Sequence, residues 1–395
     1  MQLKKNKLRV LVLGAGFGGL EMTASLSEQM GDFLDLTLID KCDSFFFGYS
    51  KLDVMFGRKS PDSVRYRYAR IVKPGVTFRQ EVIHGIDPER RRVTTDRSTY
   101  EADVLVVALG ADYDIPATPG LTEAGYEFYS FSGAERVGRI LPTIEHGHVL
   151  IGVTGFPFKC PQAPGEVALL LHHYLDRRSV RANCEISLVV PFELPIPPSY
   201  GASKALLEAF QEAGIRYIPD IMVGAIDPAR NVAELDDGRE IPFDYFLGIP
   251  EHRVPEVVAG SGLVFDGWIP VDSNNLKTKY PDVYAIGDIT SVGTPKAGAF
   301  AQAAARVAAD SIASEYLGRE FKGGYSGRGS CYVEFGNGRV GRVDVDFFST
   351  PSPAGKYLNA SAVLAQEKSS NESSARARWF GSESLISVDQ SSDMH

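Results

Sequence analysis

Leu8-Arg-Val-Leu-Val-Leu13-Gly14-Ala-Gly16-Phe17-Gly-Gly19 joins an apolar run to a glycine cluster, and the architecture follows from that junction. Its apolar half is a continuous run that stops at a glycine cluster, as in a strand buried on both faces of a parallel sheet. A helical pattern then opens and runs from Leu20 through Leu26. The glycines differ in what they make possible, since Gly14 permits a tight turn, Gly16 lets the backbone approach a pyrophosphate, and Gly19 lets helix and strand pack closely. The helix N-terminus supplies N–H groups and a positive dipole end. A second strand, Leu34-Asp-Leu-Thr-Leu-Ile39, ends at Asp40, where a carboxylate can accept both hydroxyls of a ribose. Together these features predict a dinucleotide site; a glycine turn that merely links strand and helix is the plainer alternative.

At 395 residues the chain is long enough for two or three units, each of about 100 to 200 residues. The formal net charge of -9 argues against a general nucleic-acid binder, which carries a basic patch or stripe. No apolar run approaches the roughly 20 residues of a spanning helix, and Met1-Gln-Leu-Lys-Lys-Asn-Lys7 passes into a strand without a secretory core. A soluble chain on the cytoplasmic side, without a signal peptide, is the expectation. Cys42, Cys160, Cys184 and Cys331 are widely spaced and form no metal-ligand pattern, so no metal centre is expected.

A second unit is predicted from about Ile115. It has a buried strand at Val149–Val153, a helix from Gly165 to about Arg177, a strand at Glu185–Val190 and an amphipathic helix at Ser203–Ala213. Between its first strand and helix stands Gly155-Phe-Pro-Phe-Lys-Cys160-Pro-Gln-Ala-Pro-Gly-Glu166. Bulky residues and prolines there remove the close approach and several N–H donors that a second pyrophosphate needs. Cys160 reads either as a small buried hydrophobe or as a reactive thiol whose thiolate Lys159 favours. Glu166 reads as an acid/base group or as a carboxylate at a helix N-terminus. Glu240–Gly248 is expected to return the chain to the first domain.

Farther on, Tyr280-Pro-Asp-Val-Tyr-Ala-Ile-Gly287-Asp288 is a short strand ending in Gly-Asp, ahead of an Ala-rich helix, Ala297 to Tyr316. This pattern is similar to the second FAD signature of the pyridine nucleotide-disulfide reductase superfamily, in which the Asp holds the ribityl chain and the helix points at the flavin ring. A third matching element, Tyr100 to Gly110, is a strand entering a glycine turn. The resemblance implies FAD as cofactor, held by Gly14, Gly16, Phe17, Gly19, Asp40, Lys41, Val82, Gly110, Gly287, Asp288, Lys296 and Ala297. Lys296 reads either as a charge at the flavin edge or as a solvated lysine at a loop end.

The resemblance sharpens at Gly323-Gly-Tyr-Ser-Gly-Arg-Gly-Ser330-Cys331-Tyr332. With Lys159-Cys160-Pro161 and Pro295-Lys296-Ala-Gly298, the chain looks like the sulfide:quinone oxidoreductase and flavocytochrome c sulfide dehydrogenase branch. That branch implies a redox-active disulfide or polysulfide bridge between Cys160 and Cys331, with Glu166 as candidate acid/base. Hydrosulfide would attack the bridge, leave a persulfide and pass two electrons through FAD to quinone or another small acceptor. Homo-oligomers and peripheral membrane contact are further implications of the branch. The chain departs from it in having no third cysteine near Tyr126 to Arg136 and no obvious pair of membrane-seating helices. An NAD(P)H oxidoreductase of the type II NADH dehydrogenase kind is the alternative, and a non-enzymatic, flavin-stabilised binding protein is a third.

The resulting expectation is an α/β fold of two Rossmann-like dinucleotide-binding-type domains. Residues 1–115 and 245–320 form the FAD domain, 116–244 the degenerate second domain, and 321–395 a smaller C-terminal segment. In that segment Arg339–Phe348 is expected as a strand, Ala354–Gln366 as a short helix, and the residues after Ser382 as disordered.

Overall fold

The computed structural model describes residues 7–381. Leu8–Leu13 forms the middle strand of a five-stranded sheet in the order Val283–Ala285, Val104–Val107, Leu8–Leu13, Leu34–Asp40, Val76–Gln80, with every pairing parallel. Its alternation explains its composition. Val10 and Val12 face the layer that holds Ala304, Ala308 and Met22, while Leu11 and Leu13 pack on the opposite face with Leu105, Val107 and Ile289. Helices Phe17–Met30 and Gly298–Leu317 lie against each other on the first of these faces.

A second five-stranded parallel sheet runs Gly125–Glu127, Tyr245–Ile249, Gly147–Val153, Cys184–Val189, Ile215–Ile218. It repeats the first in order: the leading strand is central, the next two step outward on one side, and two other strands close the far side. Gly147–Val153 thus corresponds to Leu8–Leu13, and helix Ala163–Arg177 to Phe17–Met30. Residues 14–16 make the short turn in the first repeat, and residues 154–162 make a long loop in the second.

The chain crosses between the sheets on an antiparallel ribbon, Asp112–Asp114 against Glu251–Arg253. Glu240–Gly248 therefore does not return the chain to the first domain. Tyr245–Ile249 pairs with both Gly125–Glu127 and Gly147–Val153, and the return comes only at about residue 251. An apolar strand fits either sheet by pattern, and its partner decides.

A three-stranded antiparallel sheet follows, Arg328–Gly336, Arg339–Asp346 and Ala354–Ser361, and then helix Ala362–Phe380. The helix expected over Ala354–Gln366 is corrected here: its first part is a strand whose Leu358 faces Arg342 and whose Tyr357 faces Val343. The helix starts only where the Ser361 side chain caps it by accepting from the Leu364 N–H, and it runs through the Ser- and Glu-rich residues. The tail expected to be disordered lies outside the described residues.

Candidate active site

The glycine turn has the geometry that its motif requires. Gly14 sits at φ +94°, where an added Cβ would lie 2.5 Å from the Ala108 carbonyl oxygen. A Cβ at Gly19 would overlap the Gly14 carbonyl, whereas a Cβ at Gly16 would meet nothing within 4 Å. The turn is thus tight at both ends and open in the middle, where a pyrophosphate can approach the backbone. Asp40 accepts from the Ala15 N–H at 2.7 Å through Oδ2 and from the Cys42 N–H at 2.8 Å through Oδ1. Each oxygen keeps a lone pair for a ribose hydroxyl. Lys41 is exposed beside it. Val82 is also exposed, and both its backbone groups are engaged by Asp96: its N–H donates to Asp96 Oδ1 at 2.8 Å and its carbonyl accepts from the Asp96 N–H at 2.9 Å. Gly110, at φ +67°, has open space on its Cα as well.

Phe17 braces the turn from behind. A Cβ on Gly298 would strike the Phe17 ring at 2.9 Å, so the helix that starts after Ala297 packs flush against the turn. Gly287, at φ +77°, turns the chain into Asp288, which is held partly buried. Burial raises the Asp288 carboxyl, against the pull of Lys159, Lys296 and Lys51. Lys296 is not a solvated lysine. It is 7% exposed, its Nζ donates to the Asp288 carbonyl at 2.6 Å, and it lies over the Trp268 ring. Burial lowers its ammonium to about 7, with Asp288 opposing.

The Cys160 loop docks onto this same corner. The Cys160 N–H donates to the Lys296 carbonyl at 2.9 Å, and its own carbonyl accepts from Ala163 N–H at 2.8 Å. Cys160 adopts φ +48°, a left-handed conformation that is uncommon for a residue with a Cβ and is held here by those two bonds. The residue is partly buried and keeps some accessible surface. Burial pushes its thiol up to about 12, with Asp288 and Glu166 adding to the shift. Lys159 does not hold Cys160 as a thiolate. Its Nζ donates to the Ala111 carbonyl at 2.6 Å and to Tyr113 Oη at 3.3 Å, and its attraction is outweighed by the loss of solvent.

Cys331, on strand Arg328–Gly336, reaches the same place from the C-terminal segment. Its thiol is likewise pushed up to about 12 by burial, with Cys160 and Glu166 as neighbouring charges. Both cysteines are free thiols in this structure; Cys42 is exposed and Cys184 buried. Glu166 stands between the two segments. It does not cap its own helix: its Oε1 accepts from the Glu334 backbone N–H at 2.8 Å, across to the Cys331 strand. Burial raises its carboxyl to about 7, with Lys368 and Arg58 opposing and Glu334 adding. Glu334 itself is held down to about 2 because Lys368 and Arg58 outweigh its burial.

Tyr129, His252, Lys51 and Glu334 also belong to this cluster, and no sequence motif marks them. They come from unrelated segments, and only the fold brings them together. Among the described residues no His, Cys, Asp and Glu group has the arrangement of a metal site. No described helix is long and apolar enough to cross a membrane.

Residues 8–308 match the pyridine nucleotide-disulphide oxidoreductase family. The chain is 25% identical over 368 residues to the mitochondrial sulfide:quinone oxidoreductase of Mus musculus, covering 88% of this chain and 80% of that protein. A type II NADH:quinone oxidoreductase of Staphylococcus saprophyticus is 27% identical over only 139 residues, 35% of this chain and 35% of that protein. In fold the chain is similar to the sulfide:quinone oxidoreductase of Aquifex aeolicus, with a TM-score of 0.82 at 22% identity, covering 95% of this chain and 93% of that one. Two repeated parallel sheets, an open glycine turn and a family match across both together have one meaning: the chain is an oxidoreductase that belongs to the pyridine nucleotide-disulphide oxidoreductase family.

Proposed function

We propose that the protein is an FAD-dependent sulfide dehydrogenase that passes electrons to quinone, with Cys160 and Cys331 as its redox pair. The observation that carries this reading is the convergence of two thiols from separate segments on one buried carboxyl, Glu166, whose acid constant lies near 7. The names of the mouse and Aquifex relatives point the same way.

The residues fit FAD. The open Gly16 turn takes the pyrophosphate, Asp40 a ribose and Asp288 the ribityl chain, while the N-terminus of Gly298–Leu317 favours negative charge at the ring. Bound there, the flavin supplies a two-electron acceptor. The protein's own part begins with Cys160 and Cys331 joined. Attack by hydrosulfide breaks their S–S bond, forms a new S–S bond to the incoming sulfur and frees the other cysteine as a thiolate. When the pair closes again, the bound sulfur leaves at the zero-valent level and one proton and two electrons are released. Glu166, with its carboxyl near 7, accepts that proton. With both thiols near 12, a free thiolate arises from bond cleavage and not from resting ionisation.

Anaerobic sulfide is expected to bleach the flavin of the purified protein. Cys160→Ser and Cys331→Ser are expected to keep their flavin and lose the bleaching. A flavin spectrum that millimolar sulfide leaves unchanged overturns the proposal. The partial likeness to the staphylococcal NADH:quinone oxidoreductase favours a second reading, which bleaching by NADH in place of sulfide would establish.

A further inference from the structure

Behind the Cys160 loop, two buried polar groups have no protein partner: the hydroxyl of Tyr129, 5% exposed, and Nε2 of His252, 3% exposed. An orphaned polar group inside a protein is costly, and natural sites keep one where something else satisfies it. The two belong to one cluster. Their rings meet edge to face with centroids 5.4 Å apart, and the Tyr113 ring lies 4.9 Å from His252. Tyr113 stands directly opposite His252 on the crossover ribbon, and its hydroxyl donates to the Tyr129 carbonyl at 3.0 Å. Lys159, next to Cys160 in the chain, donates to Tyr113 Oη, and Lys51 donates to the Tyr129 carbonyl.

The chemistry of the two free groups is complementary. His252 Nδ1 sits 2.8 Å from the Pro250 carbonyl, which can only accept, so Nδ1 carries the hydrogen. Burial keeps the imidazole neutral, lowered to about 3, so Nε2 offers a bare lone pair. Tyr129 offers an O–H donor. A ligand suited to both accepts one hydrogen bond and donates one. The charges acting on His252 are Lys159, Lys51 and Lys296, and the carboxyl acting on Tyr129 is Glu166; Lys51 and Lys159 are directly bonded into the Tyr113–Tyr129 cluster.

We infer that Tyr129 and His252 form the subsite that holds the hydrosulfide anion beside Cys160, the Tyr129 hydroxyl donating to its sulfur and His252 Nε2 accepting its S–H. This rests on the sulfide-oxidising reading above and names the groups that recognise the donor. Lys51 and Lys159 attract the anion, while the tyrosine and histidine orient it so that a sulfur lone pair faces the cysteine.

The test is rapid anaerobic mixing of the flavin-loaded protein with increasing sulfide, following the loss of flavin absorbance. In Tyr129→Phe, which keeps the ring and its packing, and in His252→Gln, the sulfide concentration for half-maximal rate is expected to rise about tenfold, the loss of one hydrogen bond to a charged ligand. Reduction by dithionite, which needs no sulfide subsite, is expected to match the unmodified protein. Unchanged sulfide dependence in both variants, with the unmodified protein bleaching normally, overturns the subsite and leaves the sulfide reading standing. A matching loss of dithionite reduction also overturns it, since the residues would then be structural. Failure of the unmodified protein to bleach removes both.

Discussion

At the scale of the residue, Glu166 shows how position decides chemistry. Its carboxyl is raised to about 7 by burial, although Lys368 and Arg58 pull it down. In the proposed reaction Glu166 accepts the proton from hydrosulfide and must be ionised, so at constant hydrosulfide concentration the sulfur step is expected to quicken as pH rises through about 7. Glu166→Gln is expected to remove that limb and slow flavin bleaching by about 10²- to 10⁴-fold, measured by stopped-flow across pH. The same shift has a stability consequence of opposite sign. A carboxyl whose folded value is raised contributes fully below its unfolded value, and that contribution is lost as pH rises through about 7. Denaturant titrations at pH 6 and pH 9 are therefore expected to show Glu166→Gln gaining on the unmodified protein at the higher pH. Glu166 could be picked out from its place six residues after Cys160, but its bond to the Glu334 N–H could not, since that partner lies on another strand.

Among the elements, the C-terminal helix Ala362–Phe380 departs most from what the sequence suggests. Its Ser- and Glu-rich run lacks an obvious apolar stripe, yet its last turn is anchored. Trp379, 1% exposed, enters a box of Phe17, Phe45 and Phe47 and donates from its indole N–H to Glu21 at 2.8 Å. Glu21 is buried on helix Phe17–Met30 and also receives Arg306 and Arg378, so its carboxyl stays low in spite of its burial. Trp379→Ala is expected to destabilise the protein by about 3 to 5 kcal/mol, the usual cost of emptying such a site. Chemical denaturation checks this. Because Trp379 backs Phe17 in the glycine turn, faster flavin release on dilution is expected alongside it. The strand Ala354–Ser361 misled for a related reason: its apolar spacing suits a helix, and pairing with Arg339–Asp346 overrides it.

For the molecule as a whole, the two parallel sheets are copies that differ at one decisive loop. Where the first sheet leaves Gly16 open, the second sets Phe156, Phe158 and Phe192 in edge and tilted contacts, with Phe158 buried. The loop carries these rings and prolines in place of glycines, and it brings the Cys160 N–H to the Lys296 carbonyl at the other sheet's helix entrance. NADH at millimolar concentration is therefore expected to leave the flavin spectrum unchanged under conditions in which sulfide bleaches it. Anaerobic spectrophotometry of one preparation with each donor provides the measurement.

The glycine turn, the second strand-helix-strand unit and the two cysteine-bearing loops are all legible along the chain. These depend on neighbouring residues, where glycine sterics and apolar runs act over a few positions. Contacts between distant segments, in contrast, keep Tyr245–Ile249 in the second sheet, bridge Glu166 to the Cys331 strand and bring Tyr129 to His252. Burial likewise outweighs the attraction of Lys159 for a Cys160 thiolate, because desolvation reflects everything packed around a group, and a chain read residue by residue does not reveal what will surround it.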